Sequence, residues 1–208
     1  MKPHLIIKIM IIFILLLGLP SFLSLAPSLY YSEAEKTDAN ETLEDAEAYY
    51  ENVRGFLNNR EPLREEFTEL ETKHMQDVKF LFNLIRSITI VFLVAIIIYT
   101  AHLYRENRKK ETFLLIKDVR NATIITLIII ATLTALVLIN FSTTFDVFHY
   151  VFFPQGNWTF PYTSLLITLF PETFFMNLAT KIMIATLTIT IILGTVLTIK
   201  IRKTKKTT

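Results

Sequence analysis

Residues 80–103 read FLFNLIRSITIVFLVAIIIYTAHL, and this stretch decides the fold class. Its 24 residues include no glycine or proline, and Arg86 is the one Asp, Glu, Lys or Arg among them. A helix needs about 20 predominantly apolar residues to cross the hydrocarbon core of a bilayer. The stretch therefore predicts a transmembrane helix.

Three further apolar runs accompany it, at Leu5–Leu25, Ala122–Asn140 and Leu178–Ile199. A soluble domain spreads its apolar residues at helical or strand periodicity, whereas 52% of this 208-residue chain is apolar and concentrated in long runs. We expect an all-α integral membrane protein with four transmembrane helices, forming a single polytopic domain over 1–208. The first run also has the basic start of a signal peptide, but its length favours a retained anchor.

Basic residues cluster at alternate ends of the runs. Two lysines precede or enter the first run, six basic residues lie in 105–120, and five lie in 200–206. Short loops rich in lysine and arginine stay in the cytoplasm. This pattern predicts a multi-pass cell-membrane protein with both termini and the 105–120 loop in the cytoplasm. The acidic segment 27–79, with 14 acidic and 6 basic residues, and the segment 141–177 then lie outside.

The two outer segments differ in character. Residues 41–59 predict a short amphipathic helix, and Pro62 suits the first turn of a second helix that continues into the span at 80–103. The segment 141–177 is rich in aromatic residues and interrupted by prolines, which indicates an extracytoplasmic element in the membrane interface. Its apolar piece 165–170 is too short to cross and suggests a half-buried element lining a pocket.

Two of the four histidines fall on the predicted outer side, and each has an acidic neighbour at helical spacing. Glu71 and Asp77 lie three residues on either side of His74, and Asp146 lies three residues before His149. A carboxylate near an imidazole orients the ring and raises its basicity, as in acid–base sites. Structural histidines, or a metal site made of two histidines and a carboxylate, are the alternatives.

Other features narrow the chemistry. The chain has no cysteine, so it carries no thiolate nucleophile and no cysteine for lipid attachment. It also lacks a G-x-S-x-G serine motif. Arg86 is a functional candidate because a charge inside a span is costly, although an arginine extending to the interface explains it equally well. The segregated charge gives no basis for a nucleic-acid partner, and the oligomeric state stays open.

Three strings carry a family resemblance. They read ETKHMQDVK at 71–79, FDVFHYVFFPQGNWTFP at 145–161 and LLITLFPETFF at 165–175. In this order, and with four apolar runs, they resemble the four-helix integral membrane family that includes the bacterial lipoprotein intramolecular transacylase, Lit. The resemblance extends over nearly the whole chain.

The resemblance implies an acyltransferase that moves the sn-2 acyl chain of a lipoprotein's diacylglyceryl group to the amino group of its amino-terminal cysteine. It places the family's two functional histidines on His74 and His149, with His74 as general acid and base and His149 stabilising the oxyanion. Asn157, Trp158 and Glu172 match the pattern and would shape the pocket. The partners implied are membrane lipid and a diacylated lipoprotein, and no cofactor is expected.

Three alternative functions remain open at this stage. The first is a non-enzymatic membrane protein that binds lipid or a partner through its aromatic segment. The second is a related lipid-processing enzyme with another substrate, and the third is a metal-dependent membrane hydrolase. Substitution of the two histidines separates the first from the enzymes, and metal analysis of the purified protein tests the last.

Overall fold

The computed structural model describes residues 3–206, and all regular secondary structure in that range is helical. Lys2 and the side chains of residues 205 and 206, which belong to the basic clusters, lie outside the described part. A π-helical turn, Ile14–Gly18, connects the first two helices. The helices are α1 (Pro3–Phe13), α2 (Leu19–Leu23), α3 (Pro27–Ala34), α4 (Ala39–Thr42), α5 (Ala46–Leu57), α6 (Glu69–Arg105), α7 (Lys109–Ile139), α8 (Phe141–Phe152), α9 (Leu165–Leu169) and α10 (Glu172–Lys206).

Four helical stretches are long and apolar enough to cross a membrane, which confirms the predicted fold class. They are His4–Leu23, Glu69–Arg105, Lys109–Ile139 and Glu172–Thr204. At 1.5 Å per residue the 37 residues of α6 measure about 55 Å, whereas a hydrocarbon core is about 30 Å thick. Only part of α6 therefore crosses the core. The charged turns of α6 lie before Phe80, and the apolar part of the helix follows them.

The connections differ from the sequence-based prediction in two places. The helix predicted over 41–59 is shorter, because α4 ends at Thr42 and α5 occupies Ala46–Leu57. The next helix does not begin near Pro62 but at Glu69. The Asn52 side chain accepts a hydrogen bond from the Arg64 N–H and donates one to the Pro62 carbonyl, and these bonds hold the intervening chain out of a helix.

The predicted basic loop 105–120 is also mostly helical. Only residues 106–108 connect α6 to α7, and Asn107 has a φ of 50°, a left-handed conformation that ends a helix. Arg105 ends α6, and Lys109, Lys110, Lys117 and Arg120 lie in the first 12 residues of α7.

The chain forms two compact units. The span unit contains the described residues of 3–21, 85–134 and 183–206, and the site unit contains Phe22–Leu84 and Ala135–Ile182.

In the span unit, the amino-terminal helix is held by polar contacts at its start. His4 Nδ1 bonds an Asp118 carboxylate oxygen, and Lys8 Nζ lies 3.2 Å from the other oxygen. Asp118 is buried, and a buried carboxylate requires such partners.

Buried threonines pack the interior of the span unit. Four of them donate the hydroxyl to the carbonyl four residues earlier in the same helix, which pairs these hydroxyls in an apolar interior. They are Thr89, Thr123, Thr126 and Thr190.

Gly18 packs closely against Thr89. A Cβ added at Gly18 would lie 2.5 Å from Thr89 Oγ1, which is buried, whereas a Cβ at Gly194 would lie an ordinary 3.4 Å from Thr123 Cγ2. We expect Gly18→Ala to destabilise the protein by about 2 kcal/mol, as overpacking does. Thermal unfolding of the protein in detergent measures this. Gly194→Ala is the matched control, and equal unfolding temperatures for the two variants would contradict the packing argument.

In the site unit, Tyr50 lies at the centre of the core. Its hydroxyl donates to the Leu169 carbonyl at 2.7 Å, and its carbonyl accepts from the Tyr30 hydroxyl at 3.1 Å. Phe170 and Phe174 pack against both tyrosine rings. This core connects α3 and α5 to the aromatic segment that carries His149.

Candidate functional site

The structure brings His74 and His149 together in the site unit. His74 lies in the second turn of α6 and His149 near the end of α8, and their ring centroids are 6.1 Å apart. The two residues are only 6% and 8% exposed. The prediction from sequence that two segments distant in the chain supply one histidine pair agrees with this geometry.

Aromatic rings surround the pair. Phe153 and Phe160 contact the His74 ring with centroids 5.0 and 5.5 Å away. Phe145 and Trp158 lie 4.1 and 4.8 Å from the His149 ring. We call these four residues the aromatic cover. Sequence reasoning did not single out the phenylalanines as site residues, although all of them stand within the quoted strings.

A main-chain hydrogen bond fixes the tautomer of His149. Its Nδ1 lies 2.8 Å from the carbonyl oxygen of Phe145, one turn earlier in α8. Because a carbonyl oxygen only accepts, Nδ1 carries the proton of the neutral ring and Nε2 carries the lone pair. The ring therefore offers a proton acceptor at Nε2. Asp146, which we expected to orient this ring, is exposed and acts on it through charge alone.

Burial keeps both rings neutral. It lowers the pKa of His74 to about 4, and the proximity of His149 adds to this, while Asp77 and Asn157 oppose it. Burial also lowers the pKa of His149, against the opposing effects of the Phe145 carbonyl and Asp146. Near neutral pH the site therefore holds two uncharged imidazoles.

The two acidic residues predicted to lie beside His74 accept hydrogen bonds from neighbouring segments of the site unit. Glu71, 1% exposed, accepts from the Leu166 N–H at 2.8 Å and from the Thr68 N–H and hydroxyl at 2.8 and 2.7 Å. Burial alone would raise the pKa of Glu71, but these hydrogen bonds bring it below its usual value. Glu71 thus attaches α9 to the start of α6, and the expectation that it pairs with His74 was wrong.

Asp77 holds the turn that follows α8. Its Oδ2 accepts from Gln155 Nε2 at 2.8 Å and from Asn157 Nδ2 at 2.6 Å. Between those two residues Gly156 has a φ of 74°, which a side chain would strain. This turn places Asn157 and Trp158 against the histidines.

Three buried polar atoms in this cluster have no hydrogen-bond partner within residues 3–206. They are His74 Nδ1, Asn157 Oδ1 and Trp158 Nε1. Buried polar atoms are nearly always paired, so three in one place mark a candidate binding position. They comprise an acceptor, a donor and a ring nitrogen.

Two predicted supporting residues do not join this cluster. Arg86 belongs to the span unit, where its Nη2 donates to the Ser21 carbonyl at 2.8 Å. Glu172 is exposed in the first turn of α10, with no contact to either histidine in the described part of the chain. No group of three or more His, Asp or Glu side chains suited to a metal ion occurs among the described residues.

The His74 ring makes folding stability depend on pH. Above about pH 6.5 an unfolded chain also holds it neutral, so its contribution is constant. Between about 6.5 and 4 the unfolded ring binds a proton that the buried ring excludes, so stability falls as the pH falls.

We therefore expect the unfolding temperature to decrease over that range, and to decrease less in His74→Gln. Replacing the exposed His102 by glutamine is the matched control. Parallel pH curves for the wild type and His74→Gln would contradict the burial of a neutral ring.

Fold and site together define a multi-pass membrane protein with a buried pair of histidines under an aromatic cover. The chain belongs to the lipoprotein intramolecular transacylase Lit family, whose pattern matches residues 5–175. The resemblance inferred from the three strings is thereby confirmed. No curated protein sequence matches the chain.

Solved structures show the same fold. The chain is similar to the membrane integral lipoprotein intramolecular transacylase Lit of Bacillus cereus, with 20% identity, a TM-score of 0.78, and coverage of 99% of this chain and 96% of that one. Two structures of that protein with one histidine replaced, by arginine or by alanine, match with TM-scores of 0.73 and 0.72. Both cover 99% of this chain, also at 20% identity, and 93% and 94% of theirs.

Proposed function

We propose that the chain is a lipoprotein intramolecular transacylase that moves the sn-2 acyl chain of a diacylated lipoprotein to the α-amino group of its amino-terminal cysteine. The observation that carries this proposal is the buried, neutral pair His74 and His149 beside unpartnered polar atoms, in a chain of this family. The product is a lipoprotein with one acyl chain on nitrogen and one on the glyceryl group.

His149 is the general base and acid. Its Nε2 takes a proton from the α-amino group as the nitrogen attacks the ester carbonyl carbon, and the carbonyl oxygen becomes an oxyanion. The same Nε2 then returns the proton to the glyceryl oxygen as the carbon–oxygen bond breaks. The Phe145 carbonyl supports this role, because its bond to Nδ1 stabilises the ring while Nε2 is protonated.

His74 donates a hydrogen bond to the oxyanion. Its pKa of about 4 leaves it neutral at pH 7, so one ring nitrogen carries a proton that it retains. A weak base is poorly suited to accept a proton from an amine and well suited to donate a hydrogen bond. These roles reverse the assignment made from the sequence. The buried Trp158 Nε1–H is a second candidate donor.

The reaction makes modest demands on the protein. Donor and acceptor belong to one molecule, so orientation alone supplies much of the acceleration. The residues described here bind, orient and move one proton, and none of these steps requires a cofactor. The α-amino group has an ordinary pKa near 8, so the rate rises with pH as the amine loses its proton.

We propose that the site lies on the extracytoplasmic side, with both termini in the cytoplasm. The basic residues at the ends of α6, α7 and α10 support this orientation. Membrane lipid and the lipoprotein then reach the site from the outer leaflet.

The test is expression in a bacterium whose lipoproteins are diacylated. Mass spectrometry of the lipoprotein amino terminus is expected to show one acyl chain on the amino group, and His149→Gln abolishes it. Unchanged diacyl termini beside well-expressed wild-type protein would falsify the proposal.

A lipid-binding protein without catalytic activity is the second candidate, because α8 exposes Val147, Tyr150 and Val151. Under that function, substitution of the two histidines leaves lipid binding unchanged, whereas Tyr150→Ser and Val151→Ser weaken membrane binding. A related enzyme with another lipid substrate would leave lipoproteins unchanged and alter membrane lipids in a His149-dependent way.

A further inference from the structure

A second polar cluster in the site unit is centred on Glu33 in α3. The Glu33 side chain is fully buried, and its Oε1 accepts from Lys36 Nζ at 3.0 Å and forms an ion pair with Lys181 of α10. Burial alone would raise the pKa of Glu33, but hydrogen bonds from the two lysines bring it below its usual value. The cluster therefore contains two ammonium groups and one carboxylate, and its net charge is +1.

The two lysines retain donors for another ligand. Each ammonium has three N–H groups. Lys36 gives one to Glu33, while Lys181 gives one to Glu33 and one to Ser32 Oγ at 2.9 Å. Within residues 3–206 this leaves two N–H groups on Lys36 and one on Lys181. The side chains are 57% and 37% exposed, so an anion can reach them.

An apolar wall lies beside these donors. The lysines border a shallow groove of about 450 Å³ that Val137, Leu138 and Met176 also line. Val137 and Leu138 occupy the last turn of α7, and Met176 and Lys181 lie in the first three turns of α10. The groove is therefore at the ends of two spanning helices, at the depth of lipid headgroups in a bilayer.

We propose that this groove binds the phosphate of an anionic membrane phospholipid through Lys36 and Lys181, with an acyl chain along Val137, Leu138 and Met176. The net positive charge complements a phosphodiester, and the unused ammonium donors match its oxygens. A zwitterionic lipid brings a choline or ethanolamine group that the lysines repel. The site is separate from the histidine pair and does not depend on the proposed reaction.

The test uses the full chain in nanodiscs that contain phosphatidylglycerol and phosphatidylcholine in equal amounts. Native mass spectrometry then identifies the lipid that stays on the released protein. We expect wild-type protein to retain phosphatidylglycerol in preference to phosphatidylcholine, and Lys36→Gln to reduce the preference about fivefold. Lys36 is the residue to change because Lys181 continues to neutralise the buried Glu33.

Two variants and one competitor complete the design. Lys36→Arg is expected to keep the preference, and so is Arg60→Gln, which removes an exposed positive charge elsewhere in the site unit. Equal retention of both lipids by wild-type protein overturns the proposal, as does a Lys36→Gln variant with unchanged preference. Displacement of the lipid by millimolar inorganic phosphate also overturns it, because the ligand would then be free phosphate.

Discussion

We expect glutamine in place of His149 to slow the proposed acyl transfer by about a thousandfold, the range for removal of a general base. Glutamine is close in size and still donates to the Phe145 carbonyl, but an amide nitrogen accepts no proton. The α-amino group must then lose its proton to solvent. The measurement is the first-order rate of acyl transfer within a defined diacylated lipopeptide in detergent micelles, followed by mass spectrometry.

The exposed His102 provides the matched control, because His102→Gln makes the same chemical change outside the site. It is expected to react at the wild-type rate. If His149→Gln reacts at the wild-type rate and its unfolding temperature is unchanged, His149 is not the general base. A smaller effect of His74→Gln is expected, because glutamine also donates a hydrogen bond to an oxyanion.

Alanine in place of Glu71 lowers the free energy of unfolding by about 3 to 5 kcal/mol. The carboxylate is 1% exposed and accepts from both Leu166 and Thr68. Its removal leaves a cavity and a buried Leu166 N–H without an acceptor, and each is costly. The fluorescence of Trp158, the one tryptophan of the chain, reports the loss during thermal unfolding in detergent.

Glu69→Ala is the control, since Glu69 stands in the same first turn of α6 and is exposed. It is expected to unfold near the wild-type temperature. Glu71→Gln keeps one acceptor oxygen and is expected to lie between the two. Identical unfolding of Glu71→Ala and Glu69→Ala would show that the link to α9 contributes little.

The four spans were predictable because the bilayer demands a run of apolar residues that the sequence displays directly. The bounds of the outer helices were not. No glycine or proline separates Leu63 from α6, yet the helix begins at Glu69 because the Asn52 side chain binds the chain at Pro62 and Arg64. Such a bond joins residues ten or more positions apart, and local helix signals do not contain it.

The site was predictable in its residues and less so in its contacts. Two histidines predicted to lie on the same side of the membrane indicated a pair, and the structure places their ring centroids 6.1 Å apart. Helical spacing suggested that Glu71 and Asp146 orient the rings, but a main-chain carbonyl orients His149 and Glu71 binds main-chain N–H groups. Main-chain partners have no residue-type signature, so sequence patterns favour side-chain partners that the fold does not use.

The aromatic cover has a consequence for the outcome of each turnover. An ester carbonyl activated between two imidazoles reacts with whichever nucleophile reaches it first, and water is the most abundant one. Phe145, Phe153, Phe160 and Trp158 occupy the space next to both rings. On the proposed mechanism, these four side chains leave the tethered amine as the nearest nucleophile. They therefore set the ratio of amide product to released fatty acid.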